Sequence, residues 1–184
     1  ITPYYCDKKK PVKKGGRCKR IRHGKVKFYY KNGKIELSEK YRHGVQHGLT
    51  VRYYKDGSEK RMITFNNGDI EHQISYYENG NEKQVIGYEA TGDGHVWEGF
   101  YRSFFEDGVL SYSTYKGKNE NERYLYESRE RNGDKTRYVK GYCIGNKPTG
   151  HWTHYINGKV WKSSRKTVAD CLTCSFNIAG CNNT

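Results

Sequence analysis

The sequence lacks most of the signals that mark helical, membrane-spanning and catalytic proteins. It contains three prolines and one methionine, and no run approaches the roughly 20 apolar residues that span a bilayer. The periodicity of an amphipathic helix is nearly absent, and only residues 167–172 could form a short helical turn. Serine elbows, phosphate-binding loops and His-Glu-x-x-His motifs are missing as well. We therefore expect an all-β protein that is not an enzyme and that needs no metal or other cofactor.

Aliphatic side chains are also scarce, and aromatic rings take their place. Leu, Ile, Val and Phe together number 31 of the 184 residues, a share that with a net charge of +14 is typical of disordered chains. The sequence nevertheless contains 18 tyrosines and three tryptophans, and each ring can bury roughly 150–250 Å². These rings predict a folded chain with thin aromatic layers in place of one thick core.

An Asn-Gly or Asp-Gly dipeptide recurs along the chain and divides it into units of similar length. The spacings between successive glycines are 24, 23, 28, 25 and 25 residues. The glycines are Gly33, Gly57, Gly80, Gly108, Gly133 and Gly158. Two aromatics precede several of them at a fixed distance, as in Tyr29-Tyr30 and Tyr53-Tyr54. Because these dipeptides tolerate positive φ at both central positions of a type I′ turn, each unit predicts a β-hairpin followed by a glycine-bearing connection such as 43–48.

The fold class that follows is all-β, as a single-layer, elongated and twisted sheet of about six consecutive hairpins. A lone hairpin is marginal in water, whereas stacked hairpins pair their edges and bury rings between neighbours. We place the hairpin array at residues 22–162, between a basic, cysteine-bearing segment at 1–21 and a cysteine-rich cap at 163–184. The insert at 90–94 lengthens one interval and is expected to be a surface loop.

Six cysteines are present, and all but one lie close to a terminus. They are Cys6, Cys18, Cys143, Cys171, Cys174 and Cys181. We expect disulfides that staple the ends, because the ends of a repeat array otherwise fray. Cys6–Cys18 is the preferred local pair, with the C-terminal cysteines pairing among themselves and with Cys143. Free thiols are one alternative, and half of a zinc site at Cys171-x2-Cys174 is another.

The expected disulfides also predict where the protein resides. Disulfides persist in oxidising compartments, which favours a periplasmic or secreted protein. The sequence begins at Ile1 rather than at Met, and we expect that a signal peptide has been removed, although a shortened chain would also explain this start.

The repeating pattern G-x4-[YF]-[YF]-x-[ND]-G resembles the MORN repeat, in its bacterial MORN-variant form. The pattern is complete in residues 48–57, and residues 145–159 contain a second clear example. The resemblance covers roughly residues 22–162 and implies an array of consecutive hairpins. Proteins of this kind serve as membrane-skeleton tethers, lipid-proximal modules, protein-binding platforms and antitoxin-like proteins, and bacterial members include exported ones. The resemblance implies this range of roles without choosing among them.

The positive charge is concentrated near the start of the chain. Residues 8–27 contain eleven Lys or Arg and no acidic residue, whereas the rest of the chain is close to balanced. Such a segment attracts phospholipid headgroups and anionic envelope polymers, unless it is only a solvated tail that aids solubility. The candidate anion-binding residues are Lys8, Lys9, Lys10, Lys13, Lys14, Arg17, Lys19 and Arg20.

The first functional hypothesis is an exported, non-catalytic scaffold that binds a protein partner across the aromatic face of the sheet. The candidate anchors are Trp97, Trp152, Trp161, Tyr53 and Tyr76. The alternatives are a cationic tether to anionic lipid or envelope polymer through residues 8–27, and an antitoxin-like or immunity-like protein. Nucleic acid is a weaker candidate, because the tyrosines recur at one hairpin position and this favours packing over base stacking. Self-association through the edge hairpins is a further expectation.

Two pairs of histidines have spacings that could supply half of a metal site. They are His43-x3-His47 and His151-x2-His154. In strands and connections these spacings need not place both imidazoles on one side, so we interpret the four residues as turn and edge residues beside glycine.

Overall fold

The computed structural model describes residues 4–6, 20–88, 99–116, 123–144 and 147–166. Every regular element in these ranges is a β-strand, and no helix occurs among them. The described residues confirm the expected all-β class and the open antiparallel sheet of consecutive strands. The helical turn considered at 167–172 and the loop expected at 90–94 lie outside the described residues.

The described residues divide into two compact units, 4–82 and 83–166. The first unit opens with two short strands, β1 (Tyr4–Cys6) and β2 (Arg20–Arg22), which pair antiparallel. Its other strands are β3 (Gly24–Tyr29), β4 (Ile35–Arg42), β5 (Val45–Gln46), β6 (Gly48–Tyr53), β7 (Glu59–Asn66) and β8 (Asp69–Tyr76). All of these strands pair antiparallel. β4 pairs with β3, β5 and β6. β7 pairs with β6 and β8.

The second unit contains the longest strands and starts at the second residue of β9. Its strands are β9 (Glu82–Gly87), β10 (Gly99–Phe104), β11 (Leu110–Lys116), β12 (Arg123–Asn132), β13 (Lys135–Ile144), β14 (Lys147–Ile156) and β15 (Lys159–Lys166). Each strand pairs antiparallel with the next in sequence order. This order is the simplest way to continue a sheet, because neighbours in sequence become neighbours in space.

Four of the six predicted turns share one geometry that differs from the expected type I′. Only the glycine has a positive φ, at +82°, +99°, +87° and +82°, in the turns of Gly33, Gly57, Gly80 and Gly108. In the first turn the Tyr30 N–H donates to the Lys34 carbonyl at 2.8 Å, and the Gly33 N–H donates to the Tyr30 carbonyl at 3.0 Å. This is a type I turn followed by a glycine bulge, and the strand register shifts beside it. The prediction of type I′ was wrong at these positions.

The residue before each of these glycines acts through its side chain rather than through a positive φ. The Asn32 Oδ1 accepts a hydrogen bond from the Lys34 N–H at 3.1 Å, and the Asp56 Oδ1 accepts one from the Ser58 N–H at 2.9 Å. The same bond occurs in the two later turns, from Asn79 and Asp107. A short side chain with an acceptor oxygen is therefore required before the glycine, which explains the alternation of Asn and Asp there.

True type I′ turns lie mainly where the sequence predicts connections. His43-Gly44 and Asn67-Gly68 have positive φ at both residues, with values of 50° and 88° in the first and 50° and 100° in the second. Asn157-Gly158 shares this geometry and is the one predicted type I′ turn that is confirmed. At Gly133 only the first central residue has a positive φ, as in a type II′ turn. The chain therefore alternates between bulged and I′ turns in the first unit.

Tyrosine hydroxyls join successive turns of the first unit. The Tyr30 hydroxyl donates to the Tyr53 carbonyl at 2.6 Å, and the Tyr54 hydroxyl donates to the Tyr76 carbonyl at 2.9 Å. The second tyrosine of one aromatic pair thus bonds to the first tyrosine of the next. Each hydroxyl satisfies a backbone carbonyl that lies about one sequence unit away, so the paired aromatics stabilise the sheet through polar contacts as well as burial.

A row of rings forms the core of the second unit. The ring centroids of Tyr101 and Tyr112 lie 5.7 Å apart, those of Tyr112 and Tyr126 lie 5.4 Å apart, and those of Tyr126 and Trp152 lie 5.5 Å apart. These distances fall in the range of edge and offset ring contacts. The Trp152 ring extends across Gly141, where a Cβ atom would come within 2.3 Å of it. A glycine on β13 therefore makes the space that the indole fills.

Burial in this core raises the pKa of Tyr112, Tyr124 and Tyr126 above the usual value for tyrosine. In the unfolded chain the same hydroxyls ionise at about pH 10, so the unfolded state loses protons first as the pH rises. The contribution of these three tyrosines to the free energy of unfolding should therefore be complete below pH ~10. It should fall as the pH rises from there through their raised folded-state pKa values. Denaturant unfolding at about pH 8, 10 and 11 would measure this decline.

Two substitutions separate this effect from general alkaline denaturation. Tyr126→Phe removes the hydroxyl of the most buried core tyrosine, which is 2% exposed, and should flatten the decline above pH ~10. Tyr29→Phe removes the hydroxyl of an exposed tyrosine and should leave the slope as it is. An identical slope in the wild type and in Tyr126→Phe would contradict the explanation.

Candidate binding surfaces

Most of the predicted anion-binding segment lies outside the described residues. This applies to seven of its eight cations, Lys8, Lys9, Lys10, Lys13, Lys14, Arg17 and Lys19, and to the predicted anchor Trp97. Arg20 belongs to β2, where its backbone pairs with that of Cys6. The cysteines Cys18, Cys171, Cys174 and Cys181 also lie outside, whereas Cys143 is completely buried on β13. The disulfide staples and the anionic tether therefore remain predictions.

The remaining predicted anchors differ in their exposure. Trp161 on β15 is 62% exposed, and its neighbour Val160 is exposed to the same extent. Tyr53 and Tyr76 are half-buried, and the Tyr76 hydroxyl lies 3.3 Å from the Met62 sulfur. These three predicted residues keep accessible surface, and Trp161 keeps the most.

Trp152 is not available as an anchor, and that prediction was wrong. Its side chain is 7% exposed and packs against the Tyr126 ring. The reason lies in β13, because Gly141 leaves the space into which the indole folds. The neighbouring sequence of Trp152 does not reveal this contact, since the glycine is eleven positions away.

The opposite face of β12 and β13 pairs cations with rings, and we call it the cation–ring face. Alternation along the strands places Arg123, Leu125, Glu127, Arg129 and Arg131 of β12 on this face. Opposite these five in the register lie, in the same order, Ile144, Tyr142, Lys140, Tyr138 and Thr136 of β13. Arginine next to tyrosine combines charge with a flat apolar surface, and both residue types are enriched at binding surfaces.

Each cation on this face lies over a ring. The Arg129 guanidinium is 4.8 Å from the centre of the Tyr138 ring, and the Lys140 ammonium is 5.7 Å from that of Tyr155. The Arg123 guanidinium lies closest to its ring, 3.9 Å from the centre of Tyr142. These contacts restrict long side chains that would otherwise move freely in water, so the charges are presented in fixed positions.

Two acids partly balance the cation–ring face. Arg131 lies 4.4 Å from the centre of the Phe105 ring and 2.7 Å from the Asp107 carboxylate. The hydrogen bond from Arg131 holds the pKa of Asp107 below its usual value. Glu127 accepts a hydrogen bond from the Tyr138 hydroxyl, and burial, followed by this carboxylate, raises the pKa of Tyr138. Glu127 lies in the middle of the face, and Asp107 lies at the end that contains Arg131.

The sequence alone does not predict the cation–ring face. Around Gly133 the usual aromatic pair is replaced by Arg129-Glu130, which marks an irregular unit without showing its purpose. Period-two alternation over Arg123, Arg129 and Arg131 would have placed these cations on one side of a strand. The rings under Arg123 and Arg129 belong to β13, and the ring under Arg131 is Phe105, which directly follows β10. Only the tertiary structure identifies these partners.

Two histidines hold turns through their imidazoles in the residues described. The His23 Nδ1 accepts a hydrogen bond from the His43 N–H at 3.2 Å, and the His47 Nδ1 accepts one from the Asn67 N–H at 3.3 Å. Each imidazole therefore holds the first residue of a type I′ turn. His151 and His154 are three residues apart on β14, so they point to opposite faces. Among the described residues, no group of three or more His, Cys, Asp or Glu could hold a metal ion.

Comparisons with protein-family models, with curated proteins and with solved structures found no match to this chain. Within the part of the chain that the structure describes, no helix has the length and apolar character needed to cross a membrane.

Proposed function

We propose that this chain is a non-catalytic scaffold that binds a protein partner through exposed aromatic residues of an open β-sheet. The observation that carries the proposal is Trp161, an indole that is 62% exposed on a strand. Large rings at the centre of an interface contribute most of its binding energy. A tryptophan left in water beside an exposed valine is a natural anchor for such a contact.

A second pair of exposed side chains supports the same proposal, and this pair lies on the cation–ring face. Leu125 and Tyr142 lie opposite each other on β12 and β13, and both side chains are exposed. The Arg123 guanidinium stacks on the same tyrosine. Tyrosine, tryptophan and arginine are the residues enriched at protein interfaces.

The proposal extends to the nature of the repeat, the ends of the chain and the location of the protein. We propose that the units are structural repeats of the MORN type, and the recurring tyrosine and histidine hydrogen bonds favour this interpretation. Disulfide-stapled ends and a periplasmic or secreted location belong to the same proposal, and the six cysteines support them.

The test is a comparison of Trp161→Ala with Tyr29→Ala, because both rings are exposed but lie in different units. A protein retained from an envelope extract by the immobilised chain would be identified, purified and titrated by calorimetry. Trp161→Ala should weaken binding about 30-fold, the effect of losing an interface hot spot. Tyr29→Ala should change the affinity less than about threefold. The wild-type affinity should persist at high salt, because rings rather than charges carry it.

The cationic tether is the second candidate, and the eleven cations of residues 8–27 favour it. Its binding to anionic liposomes should fall steeply with salt and should disappear when residues 1–20 are deleted. Retention that depends on this deletion but not on Trp161 would replace the scaffold proposal with the tether.

A further inference from the structure

A cavity of about 490 Å³ opens beside the last strands of the second unit, and basic side chains line it. Arg123 enters from β12, Thr149 and His151 from β14, and Arg165 from β15. Tyr142 of β13 provides part of the wall. The strand register brings these residues together, because His151 lies directly opposite Arg165.

The Arg123 guanidinium is held in place on two sides. It stacks on the Tyr142 ring with its central carbon 3.9 Å from the ring centre. Its Nη2 atom lies 3.2 Å from the position that a Cβ atom would take at Gly150. The ring and the glycine together fix the planar guanidinium at the cavity wall, so less conformational entropy is lost when a ligand binds.

The charge of the cavity is not neutralised by the protein residues described. No carboxylate among the cavity-lining residues faces the two guanidiniums, and the ion pairs of the described chain lie elsewhere, at Arg22–Glu39 and Arg131–Asp107. By contrast, the charge of Arg131 in the same unit is balanced by the Asp107 carboxylate. Arg123 and Arg165 instead direct two positive charges toward one cavity.

We propose that this cavity binds the phosphate group of a phosphate monoester. Two guanidiniums present planar forks that match tetrahedral phosphate oxygens, and a dianion can satisfy both forks, whereas a single carboxylate satisfies only one. The Thr149 hydroxyl and the His151 imidazole offer further polar contacts. Tyr142 and Ile144 line the same cavity and provide an apolar surface for the organic part of the ester.

Phenyl phosphate is a suitable probe because it combines the dianion with a small ring. Calorimetric titration should show binding to the wild type, and benzoate, with one negative charge, should bind more weakly. Arg123→Gln and Arg165→Gln should each lower the affinity for phenyl phosphate about tenfold or more, since each removes a charge-assisted contact. The matched control is Arg137→Gln, which removes an exposed arginine from β13 outside the cavity and should change the affinity less than about twofold.

The source of the phosphate is distinguished by a second arm. Phosphatidylcholine vesicles that contain phosphatidic acid present a phosphate monoester on a lipid, and their retention of the chain would be compared for the same three variants. Loss of retention in Arg123→Gln and Arg165→Gln alone would assign the cavity to a lipid phosphate, and binding of phenyl phosphate without vesicle retention would assign it to a soluble ester. Both results support a phosphate site.

Thermal unfolding of each variant checks that the sheet remains folded. If Arg123→Gln unfolds because it loses the stack on Tyr142, the loss of affinity is measured with Arg165→Gln on β15 instead. The proposal is overturned if the wild type binds neither probe, or if Arg137→Gln loses as much affinity as the two cavity variants, because general electrostatic attraction would then account for the binding.

Discussion

Trp152→Ala should lower the free energy of unfolding of the second unit by about 3–5 kcal/mol. The indole is almost completely buried, contacts the Tyr126 ring and covers Gly141. Its removal leaves a cavity that a strand backbone cannot close, so the loss includes both the burial of the ring and the empty space. Guanidinium chloride unfolding followed by circular dichroism would measure the change.

Trp161→Ala is the matched control for this prediction. Both residues are tryptophans on adjacent strands, but Trp161 is largely exposed and contacts the His154 ring at a centroid distance of 6.4 Å. Its replacement should change stability by no more than about 0.5 kcal/mol. Equal losses in the two variants would show that Trp152 does not form the core described for the second unit.

Gly141→Ala should be destabilising by about 2–3 kcal/mol, although it adds only a methyl group. The new Cβ would lie 2.3 Å from Cδ2 and 2.4 Å from Cε2 of Trp152, which is far inside contact distance. The indole is enclosed and cannot move aside without breaking its packing against Tyr126. Denaturant unfolding of the single variant would give the size of the effect.

A double-mutant cycle tests whether the two positions act through one contact. In the Trp152→Ala background the space over residue 141 is free, so Gly141→Ala should then cost less than about 1 kcal/mol. The two losses should therefore be strongly non-additive. Additive losses would mean that the glycine is required by the backbone rather than by the indole.

The positions of the turns were predictable, because they depend on residues adjacent in sequence. Gly33, Gly57, Gly80, Gly108, Gly133 and Gly158 all lie in turns between strands. The turn types were less predictable. Asn and Asp can reach a type I′ geometry through positive φ or a bulged geometry through a side-chain hydrogen bond, and the dipeptide is compatible with both. The register of the flanking strands selects between them.

The candidate sites were predictable only in part. An abundance of rings correctly indicated a folded chain, and Trp161 was correctly placed among the exposed residues. Trp152 has the same side chain and also lies in a β-strand, yet it is buried because of Gly141 on the neighbouring strand. Arg123 and Arg165 are 42 positions apart in sequence and meet at one cavity only because β12, β13, β14 and β15 lie side by side.

Local preferences of the chain thus account for its β class, its turn positions and the two sets of alternating side chains on each strand. Those preferences act over a few residues, through φ and short side-chain hydrogen bonds. Which alternating set is buried, which tryptophan faces water and which cations meet at one cavity depend on contacts between strands. Such contacts are fixed by register and by the space beside glycines, and no short stretch of sequence encodes either of them.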